Sequence, residues 1–237
     1  MVPNRAYFAV QRQFAERWAA LAPMPIETAY LECTTWYHQG AGLGREFDPR
    51  HPTWQKLIAE VSDSADPDGV VHAAALRNEP DVPPGPILDW SWDADDHTVR
   101  LHFFPQRSAD GHPLAHRHLP DRQREFRDLV RRAALEHPDD AWLRGRSWLY
   151  SIEAYRRIFP DVFIAGLEPL EPDLQFLACW GQLLDGAWRT RTDVASVLLR
   201  GVEVASTTDE LEAAFPHPML QSRVPLSLVV AQVALED

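Results

Sequence analysis

The 237-residue chain sets 23 Lys and Arg against 35 Asp and Glu, a formal net charge of -12, so its field repels phosphate backbones and excludes nucleic acid as a general partner. Its length supports a full hydrophobic core; its two distant cysteines, Cys33 and Cys179, exclude a disulfide scaffold and fit reduced thiols in a cytoplasmic protein. No apolar leader follows Met1 and no apolar run is long enough to span a bilayer, so neither a signal peptide nor membrane association is expected.

Residues 4–21 carry Tyr7, Val10, Phe14, Trp18 and Leu21 at spacings of three and four, which predicts an amphipathic helix. The β-branched and aromatic content of 26–37 predicts a strand, closed by the Gly-rich turn Gly40-Ala41-Gly42-Leu43-Gly44. A helix at 52–61 opens on Pro52 and carries Trp54, Leu57, Ile58 and Val61. The short apolar run at 69–77 fits a strand or a helix, and we read a strand. The densest breaker run, 78–86, marks an internal boundary or a long loop in what is otherwise expected to be one globular domain, 1–237. A β-hairpin follows, with strands at 87–92 and 98–104 around the acidic turn Asp93 to Asp96.

The helix at 120–136 opens on Pro120 and buries Phe126, Leu129, Val130 and Ala133. The segment 144–160 reads as a strand end, a Ser-capped helical turn and a Pro stop. Strands are expected at 162–168, 174–184 and 226–235, and helices at 192–200 and 208–214. The class is α+β, a mixed or mainly antiparallel sheet with packed helices.

Arg144, Arg146, Arg156 and Arg157 fall close together in this acidic chain. Guanidinium groups bind carboxylate and phosphate in forked geometry, so Arg144 and Arg146, with Arg45 beside the Gly turn, are candidate anion-binding residues; surface ion pairing is the competing reading. Arg189 and Arg191 could join them. Gly42 and Gly44 could expose backbone N–H groups to the same anion. His102, on a predicted strand, is the candidate acid–base residue. His97, His102, His112, His116 and His118 cluster in sequence, and a metal-dependent enzyme built on them is one alternative. Another is a non-catalytic interaction or ligand-binding domain that engages another protein or its own copy as a homo-oligomer, using some of the nine tryptophans. Gly145-Arg146-Ser147-Trp148-Leu149 begins like a nucleophile elbow but lacks its second Gly.

Gln39-Gly40-Ala41-Gly42-Leu43-Gly44 resembles the Q-x-x-G-x-G loop with which GNAT acyltransferases hold the pyrophosphate of acyl-CoA. The order Leu101-His102-Phe103-Phe104, then Gly111 to Leu114, a charged helix, Ser147-Trp148-Leu149 and Ile158-Phe159-Pro160 is similar to the C-terminal half of GNAT-like two-domain enzymes. The resemblance implies acyl transfer with coenzyme A as cofactor. The chain departs from it at Phe47-Asp48-Pro49, where the family starts a helix. The resulting expectation is a small-molecule enzyme that binds an anionic metabolite or acyl donor.

Overall fold

The computed structural model describes residues 2–44, 47–79, 85–108, 112–137, 140–172, 174–175 and 177–235. In chain order its regular elements are α1 (Arg5–Leu21), α2 (Ile26–Cys33), α3 (Pro52–Ser62), α4 (Pro67–Arg77), β1 (Leu88–Asp93), β2 (Thr98–Phe103), α5 (Leu119–Glu136), β3 (Trp142–Ser147), α6 (Glu153–Arg156), α7 (Asp161–Ala165), β4 (Leu167–Pro169), α8 (Leu177–Trp180), α9 (Thr192–Val204), α10 (Thr208–Ala213), β5 (Leu220–Pro225) and α11 (Leu226–Leu235). They divide between two compact units, Met1–Asp81 with Pro172–Pro216, and Val82–Glu171 with His217–Asp237. The first division falls inside the breaker run 78–86.

The first unit is helical among its described residues. α1 buries Tyr7, Phe8, Val10 and Phe14, and Trp180 meets Phe14 and Phe215 edge-on at 5.3 and 5.0 Å between ring centroids. Two predicted strands are helices here. The run 26–37 forms α2 and then a π-helix over Trp36–Gly40; helical burial of Ala29, Tyr30, Leu31 and Cys33 overrides the β-propensity of Ile26, Thr28, Thr34 and Thr35. The run 69–77 lies in α4, whose N-cap Asp66 accepts from the Gly69 N–H at 3.1 Å, with Pro67 in the first turn. Arg12 of α1 grips Asp68 of α4 at 2.8 Å. The predicted strand at 174–184 instead contains α8 and a 3₁₀ turn, Gly181–Leu183.

The second unit is built on a five-stranded sheet in the order β1-β2-β3-β5-β4. β2 and β3 run parallel, and the other neighbours antiparallel. One sheet face presents Leu88, Val99, Leu143 and Val224 to Phe126, Leu129 and Val130 of α5, to Phe163 of α7 and to Val229 and Val233 of α11. Tyr150, Tyr155 and Phe159 complete this core. In the segment 144–160 the strand ends at Ser147, whose side chain accepts from the Leu149 N–H to cap a 3₁₀ turn over Trp148–Ser151, while α6 follows Ile152 without a side-chain cap. Trp148 and Tyr150 therefore lie in a turn. The strands expected at 162–168 and 226–235 shrink to β4 and give way to α7 and α11.

Among the described residues no helix is long and apolar enough to cross a membrane.

Candidate functional site

Strand alternation that turns Val99, Leu143 and Val224 into the core turns their neighbours to the opposite face. There the register aligns Arg100, Arg144 and Arg223 in one row across β2, β3 and β5. Like charges directly opposed across strands repel. Two carboxylates from the β1–β2 hairpin offset this. Asp93 pairs with Arg100 and lies 3.5 Å from Arg144. Asp96 binds Arg144 at 2.8 Å and Arg223 at 2.9 Å. Arg223 also lies over the Trp142 ring at 4.7 Å. Asp93 and Asp96 are thus the counter-ions of the arginine row.

The electrostatics carry the imprint of this crowding. Desolvation pushes the Asp93 carboxyl upward, but the Arg100 hydrogen bond and charge, the Asp96 amide and the Arg144 charge outweigh it and hold its pKa below the ordinary carboxylate value. Desolvation lowers the Arg144 pKa, the neighbouring Arg100 and Arg146 charges lower it further, and Asp96 and Asp93 oppose the shift.

Away from the hairpin turn the face is less neutralised. Continuing two residues along β2 and β3 from the Arg100–Arg144 pair brings His102 and Arg146 to this same face. Arg146 is exposed and stands opposite Gln221 of β5; among the described residues no carboxylate pairs with it. The His102 Nε2 and Ser91 Oγ share a hydrogen bond of 2.7 Å. Ser91 sits directly opposite Arg100, and Asp89 directly opposite His102. Asp89 lies 3.4 Å from Arg107, whose guanidinium rests 4.0 Å above the Phe104 ring centroid.

The structure therefore gathers three of the sequence candidates, His102, Arg144 and Arg146, on one sheet face. Ser91, Arg100, Arg107, Arg223 and Asp96 join them and were missed. The hairpin closes on the pair Asp93–Thr98, with its turn at 94–97 rather than at the expected 93–96, and this register sets Ser91 opposite Arg100 and Asp89 opposite His102. Gly42 and Gly44 belong to the other unit, and Arg45 lies outside the described residues. Gly42 has a φ of +67°, while the flanking amides of Ala41 and Leu43 donate to the carbonyls of Trp36 and Tyr37. Those two N–H groups close the π-helix as a left-handed cap closes an α-helix. The loop follows a helix, not the expected strand.

Arg189 and Arg191, in the first unit, pair with Asp185 and Asp193. Ser147 is spent on its cap. Cys33 and Cys179 are buried and not joined in a disulfide, and burial raises the Cys33 pKa, further removing it from thiolate chemistry. Of the expected histidine cluster, Gly111 in its loop lies outside the described residues, and among the described residues no three His, Cys, Asp or Glu groups converge as metal ligands.

No known protein family, curated protein or solved structure matches this chain.

Proposed function

We propose that the second unit binds a small anionic substrate, an acyl donor or a related metabolite, on the polar face of its sheet, with His102 as the acid–base group. The supporting observation is the 2.7 Å Ser91–His102 hydrogen bond on the face that also carries Arg146. An imidazole with an unprotonated Nε2 accepts the Ser91 proton, and a neighbouring guanidinium favours the anion that such transfer or substrate binding brings. Arg146 supplies that charge without first surrendering an ion pair. Arg144 and Arg223 contribute through the field of the row, since Asp96 already holds them.

The experiment separates binding from chemistry. Coenzyme A, acetyl-coenzyme A and inorganic phosphate are titrated against melting temperature, where a ligand at about 100 times its Kd stabilises by about 2.7 kcal/mol. Arg146→Ala should weaken binding about tenfold, the scale of one charge-assisted hydrogen bond. Thiol release from acetyl-coenzyme A with a panel of amines reads the chemistry, and His102→Gln should lower kcat by about 100-fold or more while leaving binding in place. Absence of a melting shift with every ligand would overturn the reading. Binding that persists unchanged in Arg146→Ala would move the site elsewhere.

A second reading, a ligand-binding domain without catalysis, is favoured by the satisfaction of Arg144 and Arg223 by Asp96, which makes much of the row structural. Binding without thiol release would select it.

A further inference from the structure

The second unit carries another concave site, which shares no residue with the His102–Arg146 pair. α5, α6, α7 and α11 surround a cleft of about 560 Å³. Its apolar wall includes Phe126, Phe159, Ile164 and Val233, and its charged residues are Arg127, Arg156 and Arg157 with Glu153 and Asp161. Arg157 is already paired with Glu153, and its carbonyl accepts from Gln123 at 2.9 Å. Arg156 is exposed on the short α6 helix, and among the described residues no carboxylate pairs with it.

An open cleft with an apolar wall and charged residues beside it suits a small ligand whose body lies against that wall and whose charge is held at the rim. The volume matches that of small-molecule pockets, and the exposed Arg156 guanidinium sets the sign of the ligand. The geometry points to a binding site for a small organic carboxylate with an aryl or short alkyl body, its carboxylate on Arg156 and its body on Phe159, Ile164 and Val233. Phosphate alone would leave the apolar wall unused, and a neutral alcohol would leave Arg156 unused.

The site shares no side chain with the sheet face, so the two readings stand or fall separately. Benzoate and hexanoate serve as probes, benzyl alcohol as the neutral counterpart of benzoate, and inorganic phosphate as the anion without a body. Chemical-shift perturbation on the full-length protein reports affinity and location together. Benzoate or hexanoate should perturb residues around Arg156 and Ile164, benzyl alcohol should bind at least about tenfold more weakly, and phosphate should not compete. Arg156→Gln, an exposed change that leaves the core intact, should weaken carboxylate binding about tenfold. Ile164→Trp should block both carboxylates by filling the cleft; loss of binding in Arg156→Gln alone still supports the site if Ile164→Trp fails to fold. No perturbation near the cleft by either carboxylate, equal binding of benzyl alcohol, or unchanged affinity in Arg156→Gln would each overturn the proposal. Arg146→Ala, which tests the sheet face, should leave benzoate binding unchanged.

Discussion

A methyl group at Gly145 would fall far inside van der Waals contact distance of the Tyr150 hydroxyl and 2.7 Å from Tyr150 Cζ. Both residues belong to the packed interior, with Tyr150 1% exposed. Gly145→Ala should therefore destabilise the protein by about 1–3 kcal/mol, the scale of overpacking in a rigid core, measured by urea unfolding. Adding Tyr150→Phe should recover part of that loss by removing the nearest atom, whereas Tyr150→Phe in the wild-type background should recover nothing. Asp96 makes a contrasting case, because its value lies in charge rather than shape. Asp96→Ala would strip Arg144 and Arg223 of their shared carboxylate and leave three opposed guanidiniums facing Asp93 alone. A loss of about 1–2 kcal/mol is expected, and added salt should shrink it by screening the repulsion. Stability of wild type and variant across a sodium chloride series checks both parts.

At the level of elements, the segments legible in the sequence were those whose side chains declared a single period. α1, α3 and α5 announce a helical stripe, and the β1–β2 hairpin announces alternation around an acidic turn. The misread segments carry no contrast between faces. α11 is Leu-Ser-Leu-Val-Val-Ala-Gln-Val-Ala-Leu, almost uniformly apolar, so a strand and a helix fit its composition equally. Its buried set, Leu226, Val229 and Val233, has helical spacing, but only the core shows which apolar residues count. α4 did carry a usable signal in Asp66-Pro67, an N-cap followed by proline at the first helical position. Asp66→Ala should cost about 1 kcal/mol through loss of that cap, detectable as a lower urea midpoint. The candidate site was legible to a similar extent. His102, Arg144 and Arg146 could be chosen by residue type, but Ser91 and Arg223 became relevant only through strand register, which depends on which strand lies beside which.

Across the molecule, burial rather than surface charge governs the response to alkali. Desolvation raises the pKa of Tyr7, Tyr150 and Tyr155 well above the usual tyrosine value, and of Cys33 above the usual thiol value. Their raised folded pKa values mean that, once the unfolded chain begins to ionise, the native state holds more protons. Stability then falls with rising pH. The contribution is complete below about pH 8.5, where unfolded cysteine begins to titrate, and declines more steeply above about pH 10, where tyrosine follows. Urea midpoints from pH 7 to pH 11 should show that two-step decline, with tyrosinate absorbance appearing together with unfolding rather than before it. A titration in which buried tyrosines ionise while the fold persists would contradict it.

The order in which the units draw on the chain bears on how the protein is made. The helical unit is complete once residue 216 has been synthesised, whereas the sheet unit still lacks β5, the strand that joins β3 to β4. On the ribosome the sheet must wait with the edges of β3 and β4 unpaired until residues 217–237 emerge. A stop codon after Pro216 should accordingly yield a chain with a folded helical unit and an aggregation-prone sheet, and the missing segment supplied in trans as a peptide should restore solubility by filling the vacant place between two strands already made.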